Sequence, residues 1–102
     1  MPTSPKSSTR QLDWSAQSLA DRKKIARFYA EEASFLVAIE ADRGIQQAAA
    51  RVLRRPMGYR EGKRTGTREC VIRRFPYILV YKVFEGRVFI VRVLHQSVRY
   101  FN

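Results

Sequence analysis

The 102-residue sequence contains a single cysteine, Cys70, and a single histidine, His95. One cysteine excludes an intramolecular disulfide, and one cysteine with one histidine cannot supply the ligands of a zinc site. A lone histidine gives no basis for a Ser-His-Asp triad, and the GxxxxGK phosphate loop is absent, so we expect neither a metal nor a cofactor. Cys70 lies in an apolar run, where a thiol behaves as a small hydrophobic side chain. These scarcities favour a reduced, cytoplasmic setting.

Long uncharged apolar runs are also missing, since none approaches the roughly 20 residues that cross a bilayer. Residues 1–9 are rich in Ser, Pro and Thr and have no apolar core. We interpret them as a flexible N-terminal tail and not as a signal peptide. Residues 10–102 are long enough for one domain, and we expect no membrane association.

Acidic residues are few compared with basic ones. Nine Asp and Glu stand against 20 Lys and Arg, a formal net charge of +11. Residues 51–74 hold nine basic and two acidic side chains, which places +7 in one quarter of the chain. Such a field attracts RNA, DNA or an acidic protein segment. The alternative is a soluble basic surface that has no specific partner.

Three β-type runs follow one another between residues 66 and 95. They are Arg68–Arg74, Tyr77–Phe84 and Arg87–Leu94. Proline in Phe75-Pro76 interrupts the first connection because it lacks a backbone N–H. Glycine in the two-residue link Glu85-Gly86 suits the second, which is typical of a tight hairpin. The sequence therefore predicts an antiparallel meander.

Both faces of this meander are apolar. If Phe84 pairs with Arg87, one face carries Ile78, Val80, Lys82, Phe84, Phe89, Val91, Val93 and His95. The other face then carries Tyr77, Leu79, Tyr81, Val83, Val88, Ile90, Arg92 and Leu94. A sheet with one solvated face would alternate apolar and polar residues. Helices can cover one side, and either a partner or long loops must cover the other.

The helices precede these strands. A short edge strand is predicted at Arg10–Trp14, and Ser15 is a suitable N-cap for a helix that ends near residues 31–33. Ser34 can cap a second helix that runs to about Arg54, and Pro56 follows it. The apolar stripes of the two helices include Phe28 and Phe35. The predicted fold is α+β, a helical hairpin packed on a three- to four-stranded antiparallel sheet.

The order of GTRE, PYILVY, a short turn and RVLH resembles the RelE/ParE superfamily of toxins from bacterial type II toxin–antitoxin modules. Leu12-Asp13-Trp14-Ser15 is similar to its first strand leading into a helix. Ala48–Leu53 with Pro56-Met57-Gly58 is similar to the end of its second helix. The resemblance covers residues 11–100. Ile78 stands where several endonucleases of the superfamily carry arginine, and RVLH resembles the ParE branch, whose members bind DNA gyrase.

The resemblance implies a toxin held inactive by a cognate antitoxin, an acidic and partly disordered protein with which it forms a hetero-oligomer. Inhibition of DNA gyrase by binding, without chemistry, is the expected activity. The alternative is a ribosome-dependent mRNA endoribonuclease. A basic nucleic-acid-binding domain is the third hypothesis, which rests on charge alone.

Candidate residues follow for each role. Antitoxin contacts are expected at Leu36, Ile39, Arg60, Lys63, Tyr77, Leu79, Tyr81, Ile90 and Leu94. Target contacts are expected at Arg92, His95, Arg99, Tyr100 and Phe101. A nuclease would use Arg68, Arg92, His95 and Tyr100 for acid–base work and phosphate stabilisation. His95 is more readily explained as the cap of a strand end. Tyr77, Tyr81 and Phe89 are candidates for base stacking, although strand aromatics are more often core.

Overall fold

A computed structural model describes residues 10–98. Strand β1 (Gln11–Trp14) is followed by helix α1 (Ala16–Glu32) and helix α2 (Phe35–Arg54). Three further strands complete the described chain: β2 (Arg68–Val71), β3 (Tyr77–Phe84) and β4 (Arg87–His95). The predicted tail at residues 1–9 lies outside the described residues, as do the predicted target contacts at 99–101.

The four strands form one sheet in the order β1-β4-β3-β2. The β2–β3 and β3–β4 pairs are antiparallel, whereas β1 runs parallel to β4. The α+β prediction is therefore confirmed, with a sheet that is mostly and not wholly antiparallel. A parallel neighbour requires a long crossover connection, which here includes the helical hairpin between β1 and the meander.

Both helices begin where their serines predicted. The Ser15 Oγ accepts a hydrogen bond from the backbone N–H of Ser18 at 2.9 Å, and the Ser34 Oγ accepts one from Val37 at 3.1 Å. These side chains satisfy amides that have no carbonyl partner in the first turn of a helix. Because only two residues separate the helices, α1 and α2 form the expected antiparallel hairpin.

The core lies between α2 and one face of the sheet, here called the helix face. The buried stripe of α2 consists mainly of small residues: Ala38, Ala41, Ile45, Ala48, Ala49 and Val52. Alanines allow the helix axis to approach the sheet closely. Gly44 adds to this, because a Cβ on it would lie 3.4 Å from Ile72 Cγ2. Tyr77, Leu79, Tyr81, Val88, Ile90 and Val93 fill the helix face.

The predicted faces of β4 are wrong beyond its middle. Phe84 does pair with Arg87, as expected, but the register shifts between Val80 and Tyr81. An extra residue in β4 at this bulge exchanges the two faces of the strand for every later position. Val93 therefore pairs with Leu79 on the helix face, while Arg92 pairs with Val80 on the opposite, outer face. Leu94 likewise moves to the outer face, and His95 to the helix face.

The first run is also shorter than predicted, since β2 ends at Val71 and not at Arg74. The backbone N–H of Ile72 bonds the carbonyl of Tyr77, which closes a turn. Arg74 has a φ of 72°, a left-handed conformation that cannot continue a strand. The central part of the outer face is covered by the protein itself, because Val80, Glu69 and Leu94 are all buried. The cover at these positions comes from within the chain and not from a partner.

Candidate partner-binding surfaces

The largest exposed apolar side chains of the hairpin lie at the end where α1 meets α2. Phe35 is 73% exposed, Leu36 71% and Phe28 51%. Ile39 is partly exposed one turn further along α2 and lines a groove with Phe35. We call Phe28, Phe35, Leu36 and Ile39 the hairpin-end surface. Exposed apolar residues grouped in this way are typical of protein–protein contact.

Only part of the antitoxin-binding set predicted from sequence is accessible. Leu36 and Ile39 belong to the hairpin-end surface. The five sheet residues of that set are buried within the isolated chain: Tyr77, Leu79, Tyr81, Ile90 and Leu94. Leu79, Tyr81 and Ile90 have no exposed surface and cannot contact a partner unless the fold opens.

The two basic members of the predicted set lie in the segment between α2 and β2. Arg60 and Lys63 are exposed. The guanidinium of Arg60 donates to a carboxylate oxygen of Glu69 at 3.0 Å, and Glu69 is itself buried beneath it. Arg60 is thus partly committed to neutralising a buried carboxylate, which limits what it can offer an acidic partner.

A cleft of about 370 Å³ lies between α1 and the end of β4. Its apolar lining includes Ile25, Phe28, Leu94 and Val98, and its rim includes Arg92 and His95. Val98 is the last described residue, and the predicted target contacts at 99–101 lie outside the described residues.

Asp21 holds Arg92 in position at the rim of the cleft. Its carboxylate accepts two hydrogen bonds from the guanidinium of Arg92, at 2.8 and 3.0 Å, and one from the backbone N–H of Val93 at 2.9 Å. The hydrogen bonds that Arg92 donates to Asp21 raise the pKa of Arg92. Sequence analysis missed Asp21, because its partner lies 71 residues away and no local pattern connects the two.

Among the candidate nuclease residues, the structure separates Arg68 from Arg92, whereas Arg92 and His95 lie at the rim of the same cleft. Arg68 is opposite Tyr81, on the helix-face side, and donates to the carbonyl of Tyr59 at 2.6 Å. Arg92 lies on the outer face. Because opposite faces of a sheet cannot address one phosphate, Arg68 and Arg92 do not form a joint site. Tyr100 lies outside the described residues.

His95 closes the turn after β4. Its Nδ1 accepts a hydrogen bond from the backbone N–H of Ser97 at 3.1 Å, and the Ser97 hydroxyl lies 2.8 Å from the same nitrogen. The ring packs edge-on against Tyr77 with centroids 5.3 Å apart. These contacts hold the imidazole in one orientation at the end of the strand.

The buried titratable groups of the helix face are held neutral. Burial raises the pKa of Tyr81 to about 12, and its hydroxyl donates to the carbonyl of Pro56 at 2.6 Å. Burial, with a smaller contribution from Tyr29, raises the pKa of Tyr77 to about 12. Burial also raises the pKa of the Cys70 thiol. Tyr77 and Tyr81 are therefore core residues, whereas Phe89 lies on the outer face, partly exposed.

Residues 10–98 contain neither a candidate metal-binding cluster nor a helix that could span a membrane. No group of three or more His, Cys, Asp or Glu side chains in this part of the chain is placed to hold a metal ion. Neither α1 nor α2 is long and apolar enough to cross a membrane.

Comparison with known proteins identifies one matching family and solved structures that have a similar fold. The family described as the ParE toxin of the type II toxin–antitoxin system parDE matches residues 12–100. A structure of the chromosomal ParDE toxin–antitoxin system from P. aeruginosa is similar, with a TM-score of 0.78 and 19% identity, over 85% of this chain and 96% of that chain. The toxin–antitoxin complex RelBE2 from Mycobacterium tuberculosis is similar with a TM-score of 0.59 and 19% identity, over 88% and 94%. No curated protein sequence matches at a significant level.

Proposed function

Since the chain belongs to the family of ParE toxins of type II toxin–antitoxin systems, we propose that a cognate antitoxin neutralises it by binding the hairpin-end surface. The observation that carries this proposal is the exposure of Phe35 and Leu36, each more than 70% accessible, beside a well-packed core. Aromatic and aliphatic side chains that enter a partner's pocket supply most of the energy of an interface. A segment that folds upon binding can cover such a surface.

Charge favours an acidic antitoxin segment. The chain carries +11, and Lys63 and Arg60 lie in the exposed segment between α2 and β2. Long-range attraction of opposite charges raises the association rate more than the final affinity. We expect apolar contacts at the hairpin-end surface to determine how long the complex lasts.

The proposed target is DNA gyrase, inhibited by binding alone. Family membership and the Ile78 and RVLH features favour a member that performs no chemistry. Separation of Arg68 from Arg92 on the two faces of the sheet agrees with this. We assign the contact to the cleft beside β4, with Arg92, His95 and residues 99–101.

The antitoxin proposal is tested by growth. Expression of the chain alone should arrest growth, and co-expression of the short acidic reading frame beside its gene should relieve the arrest. Leu36→Glu should still arrest growth but escape relief. Ala50→Glu introduces the same charge at an exposed site of α2 away from this surface and should be relieved normally. Harmless expression of the unmodified chain would contradict the toxin assignment.

The target is tested with purified gyrase, ATP and relaxed plasmid. The toxin should inhibit supercoiling, and deletion of residues 99–102 should abolish the inhibition while the described contacts stay in place. Undisturbed supercoiling at a large molar excess of folded toxin would exclude gyrase. Discrete cuts within translated codons, mapped by primer extension after induction, would instead favour the endoribonuclease.

A further inference from the structure

A groove of about 360 Å³ between α1 and α2 continues the hairpin-end surface along the hairpin. Phe35 and Ile39 line its apolar part, to which Ala26 of α1 and the buried Ala38 of α2 contribute small side chains that leave room for a bulky group. Arg43 follows Ile39 at the same spacing of four residues, which places all three on one stripe of α2. The groove therefore has an apolar end at Phe35 and a polar end at Arg43, about 12 Å away along the helix.

The acidic residue at the polar end of the groove, Asp42, is already neutralised by Arg22 of α1. Its two carboxylate oxygens each accept a hydrogen bond from the Arg22 guanidinium at 2.8 Å, and one of them also accepts from the Gln46 amide at 2.7 Å. The hydrogen bonds from Arg22 lower the pKa of Asp42, so the pair stays ionised. Arg22 also lies over the Trp14 ring, 4.5 Å from its centroid. Asp42 is thus held toward α1 and does not pair with Arg43.

Arg43 carries the one positive charge that this part of the hairpin leaves unbalanced. It is exposed, and no carboxylate within residues 10–98 forms an ion pair with it. Glu40 lies one turn earlier on α2, but its carboxylate lies 3.8 Å from the guanidinium of Arg74. Arg22, Arg43 and Arg74 stand against two carboxylates, Glu40 and Asp42, so the polar end of the groove has a net charge of one positive unit.

We propose that this groove receives an amphipathic helix of the antitoxin, which places an apolar side chain against Phe35 and Ile39 and a carboxylate on Arg43. The inference rests on the proposed function and adds the chemistry by which Arg43 selects its partner. A helix that lies along α2 has the same rise per residue, so its carboxylate is expected about two turns from its apolar anchor. An antitoxin with a basic residue there would bring like charges together, and Arg43 would therefore reject it.

Titration calorimetry with the purified protein encoded by the short acidic reading frame beside the gene tests the contact at Arg43. Arg43→Glu should weaken binding about tenfold or more, because a close pair of opposite charges becomes a pair of like charges. Lys82→Glu makes the same change in net charge on the outer face of the sheet and should weaken binding by less than about threefold. In about 0.5 M salt the loss in Lys82→Glu should vanish and that in Arg43→Glu should persist. Equal losses in the two variants, or unchanged affinity in Arg43→Glu, would overturn the inference.

The carboxylate on the partner is identified by changing each Asp and Glu of the antitoxin in turn to Lys. One of these changes should weaken binding to the unmodified toxin and restore binding to Arg43→Glu within about threefold. If none restores it, the proposed ion pair is wrong. Circular dichroism checks that each variant is folded. Normal binding by Leu36→Glu would contradict the hairpin-end surface itself, whereas loss in Leu36→Glu with normal binding in Arg43→Glu would overturn only this inference.

Discussion

Leu36 and Leu79 were both expected to contact the antitoxin, and the structure predicts opposite consequences for their substitution. Leu79 is fully buried between β2 and β4 on the helix face. Leu79→Ala should lower the free energy of unfolding by about 2–5 kcal/mol, because it removes buried apolar surface and leaves a cavity in the core. For a domain of this size the melting temperature should fall by about 10–30 °C.

Leu36→Ala should leave stability within about 0.5 kcal/mol of the original, because 71% of the side chain is already in water. Its effect should appear in binding, where a central interface leucine contributes about 1–3 kcal/mol, or roughly 5- to 150-fold in Kd. Urea denaturation followed by circular dichroism gives the first quantity, and titration calorimetry with purified antitoxin gives the second.

Two outcomes would contradict the expected difference between Leu36 and Leu79. If Leu36→Ala destabilises the isolated toxin as much as Leu79→Ala, the exposed position assigned to Leu36 is wrong. If folded Leu36→Ala binds antitoxin with unchanged affinity, the hairpin-end surface is not the interface. Ala50→Gly is a useful control, since it perturbs an exposed site of α2 by about 1 kcal/mol without touching the proposed contact.

Three further predictions concern stability. Because the pKa of Tyr81 is raised to about 12 in the folded protein, the neutral phenol stabilises the fold fully below pH 10, and this stabilisation is lost as the pH rises toward about 12. In urea titrations at alkaline pH, the free energy of unfolding should therefore fall less steeply with pH in Tyr81→Phe than in the unmodified protein. The hydrogen bond from Arg22 lowers the pKa of Asp42 below 3.8, so its contribution is present above that pH and disappears on further acidification. Asp42→Asn should remove that part of the acid sensitivity, and an unchanged acid midpoint would contradict this. Asp21→Ala should lower the free energy of unfolding by about 1–3 kcal/mol, because it removes the hydrogen bonds to Arg92 and to the backbone N–H of Val93. Asp21→Asn should lower it less, because the amide carbonyl can still accept from that N–H. Equal losses in the two variants would contradict a separate contribution of the N–H bond.

The architecture could be predicted because its signals are local. Serine caps define the helix starts at Ser15 and Ser34, and Glu85-Gly86 defines the β3–β4 turn. The pairing of Phe84 with Arg87 follows from that turn, and period-2 alternation then predicts both faces correctly as far as the bulge. Beyond it, one extra residue in β4 reverses the prediction for Arg92 and the three residues that follow. No residue type in the sequence marks the bulge.

The candidate site was harder to predict, because exposure depends on where an element ends relative to its neighbours. Phe35 lies one turn before Ala38 on the same helical stripe, yet Ala38 is buried and Phe35 is 73% exposed. The helical period places both on the apolar face and cannot show that the packed region begins only at Ala38. Phe84 is a similar case on the outer face of β3, where Val80 is buried and Phe84 is 53% exposed.

By itself the sequence determined the class of the fold, the helix boundaries, the β3–β4 turn, the strong positive charge and the resemblance to RelE/ParE toxins. All of these depend on residue types and on spacing within one or two elements. The tertiary structure alone decided the parallel placement of β1, the exchange of faces in β4, the pairing of Asp21 with Arg92 and the difference between buried Leu79 and exposed Leu36. Each of these joins residues far apart in the chain, and burial is a property of the packed whole and not of any local pattern.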